Sequence, residues 1–259
     1  MNNQSLPLQV TQTTAFLTHT LGPSLKAIYL YGSYVDGGLK HKSDIDFFVV
    51  LDAELTQETK QLLIQELLLL SGAIDNKENK RYLEITIVNQ AEFSPLRLPI
   101  QSEFQYGEWL RNSFLNGYIP EKTLDPDLTL LLRQIRQNSI TLHGISADAL
   151  LPVISDKDFK LAILSLLPIL LEELEDDTTN VILTLCRMFY SLETAKITSK
   201  DKAVDYALRY VPEKFHLLLL DSKNQYLGET NAMEKLNPLL LKEFASFITQ
   251  FITLNHEPH

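Results

Sequence analysis

The sequence is poor in the residues that cross-links and zinc sites require. It contains 259 residues but one cysteine, Cys186, so a disulfide within the chain is impossible. Cys186 lies in an apolar segment, which favours a buried small side chain over a nucleophile. No group of cysteines and histidines has the spacing of a zinc site. These absences argue against a disulfide scaffold and a structural zinc.

Membrane and targeting segments are also missing from the sequence pattern. The N-terminus has no basic region followed by an apolar one, as a signal peptide would have. The apolar stretch 161–174 is too short to span a bilayer, and acidic residues interrupt its end. We therefore expect a cytoplasmic protein with no membrane partner.

Positive charge is scarce. The chain has 23 Lys and Arg against 33 Asp and Glu, which gives a formal net charge of −10. Such a field repels nucleic acid phosphates and attracts cationic small molecules. We expect a monomer with a cationic ligand and no nucleic acid partner.

The apolar pattern changes along the chain. Runs at 27–31, 45–51 and 81–89 predict strands, 8–21 and 56–70 predict helices, and 102–116 predicts a strand followed by a helix. Beyond Pro126, helices are predicted at 127–142, 156–174, 179–194, 201–210, 213–226 and 232–254. The pattern predicts an α+β fold: a mixed sheet flanked by helices in residues 1–122, then an all-helical domain in residues 123–259. A cleft between them is the expected ligand site.

Gly32-Ser33 follows the first predicted strand. Glycine lets backbone N–H groups approach phosphate oxygens closely, and the Ser33 hydroxyl adds a further donor. An ordinary turn is the alternative interpretation of this pair.

Asp44 and Asp46 stand two residues apart at the start of the second predicted strand. Side chains at this spacing share one face of a strand, and the remainder of the strand is apolar. Two such carboxylates would repel each other unless a cation lies between them, and Mg²⁺ prefers oxygen ligands. Two solvated aspartates on an edge strand are the alternative.

Glu84 lies in the third predicted strand, between Leu83 and Ile85. Alternation places it on the opposite face from these two apolar neighbours. Beside two metal-binding aspartates, this carboxylate can accept the proton of an attacking hydroxyl. A solvent-facing glutamate on a half-exposed strand is the alternative.

The segment from Leu30 to Asp46 resembles the signature of the DNA-polymerase-β-like nucleotidyltransferases. More closely, it resembles the aminoglycoside adenylyltransferases that modify spectinomycin and streptomycin. Similar stretches continue through the chain, from about Leu17 to Gly228: 83–88, 106–111, 180–188, 197–201 and 226–228. The resemblance implies an enzyme that uses ATP and Mg²⁺ to adenylylate a cationic aminocyclitol or aminoglycoside antibiotic.

The resemblance also implies roles for individual residues. Gly32 and Ser33 would bind the ATP phosphates, Asp44 and Asp46 would hold Mg²⁺, and Glu84 would be the general base and a further Mg²⁺ ligand. The remaining nucleotide ligands would be Asp127, Arg187, Lys200 and Tyr226. The drug would contact Glu84, Trp109, Asp177 and Asn180.

Ordinary structural roles are possible for several of these residues. Asp177 could cap the helix that follows it, and Arg187 could pair with a carboxylate at the edge of the core. Trp109 and Tyr226 could serve packing. Lys200 could be solvated, although a cation in the first turn opposes the helix dipole and so favours an anionic ligand.

The identity of the acceptor drug is inferred from a tryptophan that this sequence lacks. Family members that accept both drugs carry a Trp and an Asp just before the position of Asp177, and segment 166–177 has no Trp. The resemblance therefore implies AMP transfer to the 9-hydroxyl of spectinomycin, a dication that Asp177, Glu84 and Glu108 could meet. Streptomycin 3″-adenylylation, alone or in addition, is one alternative. A nucleotidyltransferase of a toxin–antitoxin or protein-AMPylating system is another.

Overall fold

The structure, a computed structural model, describes residues 6–39, 43–73, 80–229 and 237–256. Its contacts divide the chain into two compact units, one ending at Val153 and the other running from Ile154 onward. Within the described ranges, no helix combines the length and the apolar character that a bilayer crossing requires.

The N-terminal unit contains seven strands and five helices in its described part. The strands are β1 (Leu25–Tyr31), β2 (Ile45–Leu51), β3 (Leu83–Asn89), β4 (Ile100–Ser102), β5 (Phe104–Tyr106), β6 (Thr123–Asp125) and β7 (Ile140–Gly144). The helices are α1 (Leu8–Leu21), α2 (Gln57–Leu70), α3 (Arg111–Leu115), α4 (Asp127–Gln137) and α5 (Ala147–Leu150).

The main sheet has the strand order β5-β3-β2-β1-β7, and β4 pairs with β6 in a small second sheet. Strands β2 and β3 run parallel, whereas β1 runs antiparallel to both β2 and β7. The sheet is therefore mixed, as the sequence predicted.

Both faces of the central strands are buried. On one face, alternate residues such as Phe47, Val49 and Ile85 pack in the core with the apolar sides of α1 and α2. Phe48 and Val50, which alternation places on the other face, are also buried. This arrangement explains the nearly continuous apolar run of β2. Half-buried Asp46 is the exception within that strand.

The region after residue 123 differs from the prediction. The helix predicted over 127–142 ends at Gln137, because Asn138 takes an extended conformation, and β7 then pairs with β1. This pairing satisfies backbone groups of β1 that would otherwise form an open sheet edge. Residues 123–150 therefore belong to the N-terminal unit, and the division after Val153 differs from the predicted boundary after residue 122.

From Ile154 onward the described elements are helical. They are α6 (Asp156–Glu172), α7 (Thr178–Thr194), α8 (Lys200–Ala207), α9 (His216–Leu227) and α10 (Pro238–His256), with a short 3₁₀ turn at Glu213–Phe215. Helix α7 is central, since it contacts the other four helices. Cys186 on α7 is fully buried, and burial raises the pKa of its thiol, as expected for a packing residue.

Candidate active site

A row of three polar side chains crosses three neighbouring strands. Tyr31 of β1 is paired with Asp46 of β2, and Asp46 is paired with Glu84 of β3. Residues paired across a sheet point to the same face. The parallel register of β2 and β3 thus places the two carboxylates next to each other, each half-buried.

Asp44 lies just before β2. The backbone pairing begins beside it, where Ile45 N donates to Tyr82 O at 2.9 Å. Asp44 and Asp46 are both half-buried, and β2 is flanked by β1 and β3. The alternative of two solvated aspartates on an edge strand therefore does not describe this site.

Gly32 and Ser33 form a 3₁₀ turn, Gly32–Tyr34, directly after β1. Gly32 has a φ of +69°, and a Cβ at this position would lie 2.0 Å from Asp46 Oδ2. The Ser33 hydroxyl oxygen is buried and has no hydrogen-bond partner among the described residues. A buried hydroxyl beside a close-packed glycine turn is a suitable donor for a phosphate oxygen.

The loop that follows this turn is fastened to the C-terminal end of α4. Asn138 Nδ2 donates to Asp36 Oδ1 at 2.6 Å and to Val35 O at 3.3 Å. Gln134 Nε2 donates to Asp36 Oδ2 at 3.3 Å. Sequence reasoning missed this tether, since its partners are about a hundred residues apart in the chain.

The start of α4 contributes further carboxylates. Asp125 Oδ1 accepts a hydrogen bond from Asp127 N at 2.9 Å, and Asp125 Oδ2 accepts one from Gln105 Nε2. Asp125 and Asp127 both act electrostatically on the buried Tyr31 hydroxyl, as Glu84 and Asp46 do. The predicted residue Asp127 therefore lies in the same acidic region, together with Asp125 and Tyr31, which sequence reasoning missed.

Among the described residues, the carboxylates do not form a preassembled metal cage. Within the part of the chain that is described, no group of three or more His, Cys, Asp or Glu side chains is arranged to hold a metal ion. The set assigned to Mg²⁺, namely Asp44, Asp46 and Glu84, is therefore not gathered into such a group. At nucleotide sites Mg²⁺ usually takes one or two carboxylates and completes its shell with phosphate oxygens and water. The half-buried pair Asp44 and Asp46 fits that smaller requirement.

Trp109 is 63% exposed, and its ring lies over Gly107, where a Cβ would meet Trp109 Cη2 at 2.2 Å. Its position agrees better with a ligand-contacting side chain than with a core residue, because large apolar side chains are usually buried.

Glu108 differs from the expectation that it meets a cationic ligand. Its side chain is 6% exposed and forms an ion pair with Arg111. Glu108 Oε1 also accepts hydrogen bonds from Tyr106 Oη at 3.0 Å and from Ser71 Oγ. The Glu108 carboxylate is thus engaged inside the N-terminal unit, which corrects the expected role.

In the C-terminal unit, three predicted ligands meet. Lys200 Nζ, in the first residue of α8, donates to Asn180 Oδ1 of α7 at 2.6 Å. The same ammonium group lies 5.8 Å from the centre of the Tyr226 ring on α9. Lys200 is half-buried, so it is not simply a solvated surface lysine.

Asn180 lies on α7 between two further predicted ligands: Asp177, the residue before the helix, and Arg187, two turns further along it. Asp177 occupies the N-cap position, but its side chain makes no capping hydrogen bond and is exposed. Arg187 is half-buried and follows Asn180 by seven residues, so the two lie on one side of the helix. Helix α7 therefore carries a polar stripe on an otherwise buried surface.

Comparison with known proteins identifies the class of each part. Residues 14–97, within the N-terminal unit, match the polymerase-β-type nucleotidyltransferase domain. Residues 149–250 match the C-terminal domain of aminoglycoside adenylyltransferases. The protein is a nucleotidyltransferase enzyme.

Curated relatives cover most of the chain. A spectinomycin 9-adenylyltransferase from Staphylococcus aureus is 42% identical over 88% of this chain and 87% of its own length. An aminoglycoside (3″)(9) adenylyltransferase from Escherichia coli is 35% identical over 95% of this chain and 94% of its own length. The chain belongs to the aminoglycoside adenylyltransferase family.

A solved structure has a similar fold. A spectinomycin adenyltransferase from Enterococcus faecalis, determined with ATP and spectinomycin, superimposes with a TM-score of 0.88 at 35% sequence identity. The alignment covers 95% of this chain and 98% of the other. The fold class predicted from the sequence is confirmed.

Proposed function

We propose that the protein transfers AMP from ATP to the 9-hydroxyl of spectinomycin and releases pyrophosphate. The observation that carries the proposal is the strand register that sets Asp46 beside Glu84. On its other side Asp46 is paired with Tyr31, and the Gly32-Ser33 turn begins at the residue after Tyr31. The similar proteins from S. aureus and E. faecalis are named for this activity.

In this proposal the triphosphate lies on the Gly32–Tyr34 turn. The Ser33 hydroxyl, which is buried without a partner among the described residues, would donate to a phosphate oxygen. Asp44 and Asp46 would hold Mg²⁺, which neutralises charge on the phosphates when bound. The absence of a Gly32 side chain leaves room for the Asp46 carboxylate at that turn.

Glu84 acts as the general base. Its carboxylate would accept the proton of the acceptor hydroxyl, whose oxygen forms a bond to the α-phosphorus. The bond from that phosphorus to the pyrophosphate oxygen breaks, and pyrophosphate leaves. Glu84 is half-buried within the acidic region, where a carboxylate is held at a defined place on a rigid strand.

The helical residues are proposed to supply charge and polar contacts to the substrates. Lys200, with Asn180 and Tyr226 around it, offers an ammonium group to phosphate oxygens, and Arg187 offers a guanidinium group. Asp127 would add a polar contact to the nucleotide.

The drug-binding side chains are proposed to be Glu84, Trp109, Asp177 and Asn180. Asp177 is exposed and makes no capping hydrogen bond, so its carboxylate suits a cationic ligand. Trp109 offers an exposed ring against which an ammonium group or a sugar ring can pack. Streptomycin remains a second candidate because the E. coli relative is named for positions 3″ and 9.

The deciding experiment measures pyrophosphate release with ATP and Mg²⁺ in three reactions: with spectinomycin, with streptomycin and with no drug. We expect release that depends on spectinomycin. Turnover with streptomycin but not with spectinomycin would overturn the assignment of spectinomycin as the acceptor. Equal pyrophosphate release with and without a drug would overturn the assignment of an antibiotic as the substrate. Omission of Mg²⁺ tests the metal, and we expect release to stop.

A further inference from the structure

Tyr31 has an unusual environment for a buried tyrosine. Its side chain is 3% exposed, and its hydroxyl oxygen has no hydrogen-bond partner in the ranges that the structure describes. Buried tyrosine hydroxyls usually find a partner, because desolvating a hydroxyl without one is unfavourable. An unsatisfied hydroxyl at this depth therefore needs a functional or structural reason.

Tyr29 provides a direct comparison. It lies two residues earlier on β1, so its side chain points to the same face of the sheet, and it is also fully buried. Its hydroxyl donates to Ile145 O at 2.7 Å. The same strand thus carries one tyrosine with a structural hydrogen bond and one whose hydroxyl has no such bond.

The surroundings of the Tyr31 hydroxyl are acidic. Burial raises the pKa of the phenol well above its ordinary value, and the carboxylates of Glu84, Asp46, Asp125 and Asp127 raise it further, in that order. A phenol hydroxyl can donate a hydrogen bond to a carboxylate oxygen. Glu84 has the largest effect of the four carboxylates, although Asp46 is the direct neighbour in the sheet.

The register explains how the phenol can serve Glu84. Neighbouring strands lie about 4.7–4.9 Å apart, and the row Tyr31, Asp46, Glu84 spans two such steps on one face. Tyrosine is the longest side chain in this row, and Glu84 is the member of the row that the proposed reaction uses as its base. The Asp46 carboxylate lies against the Gly32 turn.

We propose that Tyr31 is a positioning residue of the transfer reaction, whose hydroxyl donates a hydrogen bond to the Glu84 carboxylate when the substrates bind. This bond holds the carboxylate toward the acceptor hydroxyl from which it takes a proton. The proposal rests on the proposed function, since it assigns the task of orienting the base of that reaction.

The test compares Tyr31→Phe with Tyr29→Phe in the full chain, using thermal unfolding, calorimetric titration of ATP with Mg²⁺, and steady-state kinetics with spectinomycin. For Tyr31→Phe we expect a thermal midpoint no lower than that of the wild type, because no hydrogen bond within the described part of the chain is lost. The ATP dissociation constant should stay within about twofold, whereas kcat falls about 10- to 100-fold, as for a lost hydrogen bond to a charged group.

Tyr29→Phe should show the opposite pattern. Loss of the bond to Ile145 O should lower the midpoint by about 2–4 °C and leave kcat nearly unchanged. An unchanged kcat for Tyr31→Phe beside an active wild type would overturn the role of Tyr31. A midpoint that falls as far as that of Tyr29→Phe would also overturn it, since the hydroxyl would then be structural. An inactive wild type would overturn the proposed function itself.

Discussion

Gly32 and Asp46 are packed so closely that a side chain on the glycine would displace the aspartate carboxylate. A Cβ on Gly32 would lie 2.0 Å from Asp46 Oδ2 and 2.8 Å from Asp46 Cγ. Contacts of this length require one group to move, and both belong to adjacent strand ends in the central part of the sheet. The glycine turn and the carboxylate therefore form one unit, in which the position of each depends on the other.

Gly32→Ala should abolish most activity. The added methyl group would displace the Asp46 carboxylate and strain a backbone with φ of +69°. Gly117→Ala is the matched control, because Gly117 has φ of +88° with nothing within 4 Å of a new Cβ. Both variants should lose about 1–2 kcal/mol of unfolding free energy from backbone strain. Only Gly32→Ala should lose pyrophosphate release, and equal activities in the two variants would contradict the displacement of Asp46.

Glu84→Gln should retain ATP binding and lose turnover. The amide keeps the shape of the carboxylate but cannot take a proton, so kcat should fall about 10²- to 10⁴-fold. Stopped-assay kinetics and calorimetric ATP binding measure the two effects separately. Full activity in this variant would remove Glu84 as the base.

Glu108→Gln should lose stability but retain turnover. The carboxylate of Glu108 is paired with Arg111, and their side chains are 6% and 18% exposed, so its loss should destabilise the fold by about 1–3 kcal/mol. Urea unfolding measures this loss, and kcat in the surviving folded protein should stay near that of the wild type. A kcat as low as that of Glu84→Gln would show that Glu108 takes part in the reaction.

Lys200→Ala should weaken ATP binding. A half-buried ammonium group held by Asn180 is a directed donor, and its removal should raise the KM for ATP about 10- to 100-fold. Lys202→Ala, two residues further along α8 at an exposed position, removes the same charge from the same helix. Equal KM values for the two variants would show that only the net charge matters.

Two buried tyrosines predict a loss of stability in alkaline solution. Burial raises the pKa of both Tyr29 and Tyr106 above the ordinary value of 10.0. Above about pH 10 the unfolded chain loses protons that the folded chain keeps, so the free energy of unfolding falls as the pH rises. Each such group contributes up to about 1.4 kcal/mol per pH unit to this slope, and the buried Tyr31 phenol and Cys186 thiol, whose pKa values are also raised, act in the same direction. Denaturant unfolding between pH 9 and 11 measures the slope, and Tyr29→Phe should reduce it by up to about 1.4 kcal/mol per pH unit.

Segments with a strong local pattern were predicted closely. The helix expected at 8–21 is α1, Leu8–Leu21, and the strand expected at 45–51 is β2, Ile45–Leu51. Strand β7 was not predicted, because most of its side chains are exposed and its pairing with β1 defines it. Apolar periodicity arises when one face of a segment is buried, and β7 is mostly exposed.

The candidate site was predicted only in part, because the local pattern shows which face a side chain occupies but not which distant residues it meets. Alternation within single strands predicted that Glu84 leaves the apolar face and that Asp44 and Asp46 share one face, and the structure places Asp46 beside Glu84. The sequence held no signal for the Asn138–Asp36 tether or for the hydrogen bond from Ser71 to Glu108. Those contacts depend on which distant segments meet.

The sequence by itself determined which side chains are present, which face each occupies within its strand or helix, and the family to which the chain belongs. The tertiary structure decided which of those side chains meet: Asp46 with Glu84, Gly32 with Asp46, and Lys200 with Asn180. Side-chain direction follows from local backbone geometry, which a short segment sets alone. Register and long-range hydrogen bonds follow from the packing of segments far apart in the chain, so they exist only once the fold has formed.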